Sequence, residues 1–225
     1  QLLSESRTAG MFPVANGPFP PERIGYLEDT GFPEFDVDAA RALVEEVQAE
    51  TGAPVAISLK TTTDPFNLTT SELLKEMWEA AGFVVELDQI PQGEFINQAL
   101  AGNFQVFTWR NHAGVDPDSQ FVWWSSTTTS GIALNFGRIN DPEVDRLLNE
   151  IRTNTDQAAR RAAAEELNRY FAEQVFNVWT SWGYWAHVGR DGVQNIGVLN
   201  IPGAPEGVTS LIGGTISPIE IFETG

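Results

Sequence analysis

Residues 55–87 read VAISLKTTTDPFNLTTSELLKEMWEAAGFVVEL, and this stretch decides the fold. Val55, Ile57 and Leu59 alternate toward one face, which predicts a strand over Val55 to Thr61. A helical stripe follows: Leu73, Leu74, Met77, Trp78 and Ala81 recur at the spacing of one helix face. Thr70 or Ser71 is the expected N-cap, and Gly82 stands where a helix ends. Phe83 to Leu87 then predicts a second strand. Two strands separated by one amphipathic helix form a crossover unit, so the expected class is α/β, with helices laid on a sheet.

Working outward, Asp36 is a candidate N-cap for a helix carrying Ala40, Leu43, Val44 and Val47, closed by Gly52. Upstream, Pro13, Pro18, Pro20 and Pro21 with Gly10 and Gly17 exclude a continuous helix, so residues 1–35 are expected to be a lead-in rather than a compact unit. Downstream, Glu94 to Ala101 predicts a short helix and Phe104 to Trp109 a strand. Asp141-Pro142-Glu143 is a strong start signal: a capping acid, a proline in the first turn, then an acid favoured by the helix dipole. Val144, Leu147, Leu148 and Ile151 follow on one face, and a second helix is expected from Asp156 to about Glu173. Phe176 to Trp182 and Tyr184 to Val188 read as strands. Beyond Arg190 the chain is rich in glycine and proline.

The chain has 225 residues, 31 acids against 13 bases and a formal net charge of -18. That field repels phosphate backbones and anionic lipid surfaces, which disfavours nucleic acid and membrane docking. There is no cysteine, so disulfide scaffolds, thiolate metal sites and cysteine nucleophiles are excluded. No run approaches the ~20 apolar residues of a membrane span. The two histidines, His112 and His187, have no paired ligand spacing, and no metal or cofactor is assigned. Acid pairs such as Asp116 with Asp118 could serve a hydrolase, but with so many acids such pairs arise by chance. No nucleophile elbow and no phosphate-binding glycine loop occurs. No residue is assigned as catalytic.

Aromatic residues are the richer signal. Trp109, then Trp123 with Trp124, then Trp179, Trp182, Tyr184 and Trp185 form clusters along the chain. Trp109 and Trp182 end predicted strands, where the ligand crevices of open α/β sheets lie. The pattern favours binding over chemistry.

The order of elements also resembles a known family. FDVDAARALVEEV (35–47), SELLKEMWEAAGFVVELDQI (71–90) and NFQVFTWRNHAGVDPDSQF (103–121) resemble successive segments of dipeptide/oligopeptide-binding proteins, the family 5 solute-binding proteins of ABC importers. FGRINDPEVDRLLNEIRTNTDQAARRAAAEELNRYFAEQ (136–174) and FNVWTSWGYWAHVGRDGVQNIGV (176–198) resemble the paired helices and strands beyond. The resemblance implies one lobe of a periplasmic-binding-protein-like (type II) fold, a mixed sheet flanked by helices. It corresponds to the C-terminal lobe, with the N-terminal lobe missing. Residues 1–35 would be a lead-in or crossover, 36–188 the lobe, and 189–225 a tail returning toward the first lobe.

The resemblance further implies a periplasmic or extracellular receptor that performs no reaction and delivers a peptide or related small solute to ABC permease subunits. An acid in the loop after the aromatic strand would pair with the ligand ammonium, which points to Asp116 and Asp118. Asn111 and His112 stand where peptide binders often carry an acid. Trp109, Asn111, His112 and Asp116 would line the cleft, Trp123 and Trp124 would wall it, and Trp182 and Tyr184 would lie near the hinge. An oligosaccharide ligand, a protein-interaction module and an acid/base hydrolase are the alternatives.

Overall fold

In the computed structural model, which describes residues 5, 9–111, 114–130, 133–183, 188–196 and 221–224, the stretch 55–87 does fold as strand, helix and strand. Strand β1 (Ala56–Thr62) leads into a helix (Pro65–Ala80) and then β2 (Val84–Ile90), paired in parallel from Ala56↔Val84 to Thr62↔Ile90. The preceding helix α1 (Val37–Thr51) is capped by Asp36, whose carboxylate accepts from the Asp38 and Ala39 amides. The helix after β1 is therefore α2.

Helix α2 starts earlier than expected. Asp64 is its cap, accepting from the Asn67 amide, and Pro65 is its first residue. Thr70 and Ser71 do not cap. Their hydroxyls donate back to the carbonyls of Phe66 at 2.9 Å and Asn67 at 3.0 Å, the bond available to such residues inside a helix. Ser71 also donates to Thr61 on β1, which ties helix to strand. Thr70, Ser71 and Leu74 face the sheet and are buried. Leu59, Leu74 and Val85 form the core between the layers, with Ile57, Trp78, Phe83, Leu87 and Val106 packed around them.

Helix α3 (Gln92–Ala101) crosses to β3 (Val106–Phe107), which pairs in parallel with the other edge of β1. The strand order is β2-β1-β3. The α/β class holds. The three-stranded sheet is parallel rather than mixed, and the antiparallel pairing is a separate ribbon of β4 (Val193–Gln194) and β5 (Phe222–Glu223). The expected strand Phe104–Trp109 shrinks to two residues. At its start the Gln105 side chain accepts from the Ser58 amide at 2.7 Å, taking a ladder position itself. At its end Trp109 turns onto neighbouring rings.

A second core lies under the helical half. Short helix α4 (Phe121–Trp124) precedes α5 (Pro142–Thr153) and α6 (Gln157–Gln174). Asp141 caps α5 as expected, and Asp156 caps α6, which starts one residue later than expected. Val144, Leu147, Leu148 and Ile151 of α5 meet Ala163, Ala164, Leu167 and Phe171 of α6.

Phe19 completes this core at 2 % exposure, and Ala15 and Thr30 are also buried. The stretch 13–30 has no helix or ladder, yet it packs as a strap against the helical half. Asn168 donates to the Gly25 carbonyl at 2.8 Å, and Asn16 to those of Leu27 and Glu28. No strand forms over Phe176–Trp182 either. That segment makes a single antiparallel bridge, Val14↔Ser181, flanked by Trp182 N–H to the Pro13 carbonyl at 2.9 Å. Its partner is the proline-rich strap, which lacks the amide donors to extend a ladder. The expected strand Tyr184–Val188 lies almost wholly outside the described residues.

Candidate ligand-binding crevice

The loop after β1 leads through α2 to β2 on one side, whereas β3 lies on the other side of β1. The carboxyl ends of β1 and β3 thus flank the point where the connections diverge, and open α/β sheets bind ligands at such a point. Two different groups of side chains lie toward that end of the sheet.

One is aromatic. Trp109 follows β3 and lies parallel to Phe95 of α3, with centroids 5.9 Å apart and planes 6° apart. Phe136 meets it edge-on at 4.8 Å and Phe107 at 5.9 Å. Phe95 and Phe136 are buried, but Trp109 remains 38 % exposed. Offset and edge-on rings of this kind are mutually attractive, so the indole is held in place while part of its surface faces solvent.

The other surface is polar. Thr62, at the end of β1, donates to the Asp64 carboxylate, and Asn67 donates to both Thr62 at 2.9 Å and Asp64 at 2.6 Å. The Thr62 hydroxyl, followed by the Asn67 amide, holds the Asp64 carboxyl below its usual value. Asp64 is therefore a fixed anion at neutral pH.

The loop beyond Trp109 is tightly framed. Asn135, fully buried, donates to the carbonyls of Trp124, Ser125 and Ile139 and accepts from the Ile139 amide. Asp145 of α5 accepts from Ser125 and from both the amide and hydroxyl of Ser126. This frame sets Trp123 against Phe136 at 6.0 Å.

The residues singled out by sequence are thus sorted. Trp109 and Trp123 join one aromatic group, and Asn111, half-buried, is two residues beyond Trp109. Trp124 packs in the core, edge-on to Phe171 and Trp179, with its indole N–H donating to Gln120 at 2.7 Å. Asp116 and Asp118 are each paired within the chain. Arg160 of α6 holds Asp116, and Arg152 of α5 grips Asp118 through Nε at 2.8 Å and NH2 at 3.2 Å. The Asp116 carboxyl lies below its usual value chiefly because of the Arg160 hydrogen bond. Arg152 lies 3.4 Å over the Phe121 ring as well, so both acids staple the loop to the helix layer. Trp182 sits on the strap. His112 and Tyr184 lie outside the described residues. No group of three metal-ligating side chains occurs among the described residues.

Phe66 escaped the sequence reading. It is the second residue of α2 and is 48 % exposed at the same end of the sheet. The signal was Asp64-Pro65, the same capping pair that marks α5 at Asp141-Pro142, hidden by the hydroxyl-rich run after it.

Comparison with known proteins agrees with this architecture. Residues 3–132 match the bacterial extracellular solute-binding proteins, family 5, in their middle region. Di/tripeptide-binding protein 2 of Pseudomonas aeruginosa is 26 % identical over 165 residues, covering 72 % of this chain and 31 % of the relative. Di/tripeptide-binding protein 1 of the same organism is 24 % identical over 183 residues, covering 78 % and 33 %. The chain therefore spans about a third of the length of these curated relatives.

Among solved structures, the dipeptide-binding protein of Pseudoalteromonas sp. SM9913 in complex with Met-Leu superposes with a TM-score of 0.72 at 18 % identity, over 99 % of this chain and 42 % of that one. The ABC transporter-associated periplasmic binding protein DppA of Helicobacter pylori, with the peptide STSA, gives 0.70 at 20 % identity, over 79 % and 35 %. Relatives and neighbours alike are named as binding proteins. Among the described residues no helix is long and apolar enough to cross a membrane. With more than half of its length matched, the chain belongs to the bacterial extracellular solute-binding proteins of family 5.

Proposed function

We propose that this chain contributes one wall of a receptor that captures a peptide or related small solute outside the cytoplasm and passes it to an ABC import permease, without chemical conversion. The observation that carries the reading is Trp109: an indole fixed by three rings yet 38 % exposed, at the sheet end where α/β folds hold ligands. Relatives named for di- and tripeptides, and neighbours solved with Met-Leu and STSA, support a peptide-sized ligand. Another neighbour was solved with agropinic acid, which supports keeping related small solutes within the reading.

The test is equilibrium dialysis of the protein against a mixed di- and tripeptide pool, with retained peptides identified by mass spectrometry. Retention by the wild type that drops at least about tenfold in Trp109→Ala is expected, the scale of withdrawing one aromatic contact surface. No retention at millimolar peptide, or equal retention by both forms, would sink the proposal. Recovery of cleaved peptides would instead favour the hydrolase alternative.

A further inference from the structure

The sheet order β2-β1-β3 leaves β2 at an edge, and among the described residues no strand pairs with its outer side. One hydrogen bond fixes which of its backbone groups face outward. The Val84 amide donates to the Val55 carbonyl at 2.9 Å, so Val84 turns its amide and carbonyl toward β1. In a parallel pair every second residue does the same. Glu86, Asp88 and Ile90 therefore face β1 as well, and the amides and carbonyls of Val85, Leu87 and Gln89 face away from it.

One of these outward groups is already taken. Lys75 of α2 reaches the edge, where its ammonium donates to the Val85 carbonyl at 2.5 Å and pairs with Glu79. Side chains of α1 treat the approach to the strand in the same way. Arg41 donates to the Ala80 carbonyl at 3.1 Å, and Gln48 to that of Gly82 at 3.4 Å. Beyond Val85 the capping stops. The outward groups of Leu87 and Gln89 have no hydrogen-bond partner among the described residues.

We infer that this edge is a strand-addition surface whose fitting partner is β2 of a second copy of this chain, and that Lys75 keeps that copy off. An antiparallel pair centred on Leu87 is self-complementary: Leu87 meets Leu87, and Val85 meets Gln89. In that register the Val85 carbonyl of each copy must accept from the Gln89 amide of the other. Lys75 occupies that carbonyl, so pairing first breaks a charge-assisted hydrogen bond on both sides. A lysine laid over an exposed edge is one of the ways sheets resist such pairing. Glu86 adds a smaller obstacle, since it would face Asp88 of the second copy, whose charge Lys60 already balances. The inference concerns assembly and is independent of what the crevice binds.

The experiment is sedimentation velocity over a concentration series of the wild type, Lys75→Ala, Lys75→Arg, and Lys75→Ala combined with Gln89→Pro. It is run in about 0.5 M sodium chloride, which screens the repulsion between copies of net charge -18. The Gln89 amide faces outward, so proline there removes a donor from the edge without breaking the ladder to β1. Circular dichroism checks that the variants keep their secondary structure. The wild type and Lys75→Arg are expected to stay monomeric, and Lys75→Ala to self-associate at least about tenfold more tightly than the wild type. Adding Gln89→Pro should return Lys75→Ala to the monomer. A Lys75→Ala variant no more associated than the wild type overturns the inference, and so does association that Gln89→Pro leaves intact. A wild type that is itself dimeric overturns it too.

Discussion

Asn135 shows how much one buried side chain can organise. Its amide serves three carbonyls and its oxygen one amide, all within the loop that carries Phe136 under Trp109. Asn135→Ala would leave those groups dry and unpaired, and we expect a loss of about 2–4 kcal/mol, read as a lower urea midpoint with an unchanged slope. Gly17 makes a similar point by close approach. A Cβ built there would sit 1.8 Å from the Oδ1 of buried Asn168, so Gly17→Ala should destabilise the strap. Gly17→Ala combined with Asn168→Ala should be less damaged than the sum of the two single changes, as a double-mutant thermal melt would show.

Residue identity also marks the limit of what sequence reveals about the crevice. Trp109 was legible because it ended a predicted strand. Trp123 and Trp124 were not separable: neighbours on a helix point about 100° apart, so one joins the aromatic group while the other enters the core. Asp116 and Asp118 looked available because their arginines lie 44 and 34 positions away.

At the scale of elements, legibility followed how local the cause was. Asp36 and Asp141 were readable caps because the acid and the amides it serves lie within three residues. The strands at 104–109 and 176–182 were overread because alternation reports only that a segment suits a sheet. It cannot report that Gln105 occupies a ladder position, nor that the partner of 180–182 is a proline-rich strap. The competing starts for α2 give a direct test. Asp64→Ala removes the cap and should cost about 1 kcal/mol in thermal stability, whereas Glu72→Ala, two residues after the rejected Thr70 cap, should be close to neutral.

The staple between loop and helix layer has a pH signature. Asp116 carries a carboxyl value lowered in the folded state by Arg160. Its contribution is full above the unfolded carboxyl value and is lost as pH falls through the lower folded value. The stability gap between wild type and Asp116→Asn should therefore be constant near neutrality and close during acid titration; a gap that widens in acid would contradict the pairing.

Across the whole molecule the dominant electrostatic fact is imbalance. Ion pairs among the described residues engage Asp38, Glu79, Asp88, Asp116, Asp118, Glu143, Glu166 and Glu223. Against 31 acids in the chain, these leave a large excess of negative charge to repel itself. Salt acts on both terms: it weakens exposed pairs, each contributing at most ~1 kcal/mol, and it screens the summed repulsion of a net charge of -18. The Lys60–Asp88 pair is the better protected of the two kinds, since the Lys60 side chain is only 10 % exposed. Repulsion should win, because it grows with every surplus acid whereas attraction is confined to the paired ones. Raising sodium chloride from about 0.01 M to about 1 M shortens the screening length from ~30 Å to ~3 Å and should raise the melting temperature by several degrees. The Glu45→Gln, Glu46→Gln, Glu50→Gln triple variant on α1 should be more stable than wild type in low salt and converge on it in high salt. A melting temperature that falls with salt would instead mean that the pairs, and not the surplus acids, set the stability of this fold.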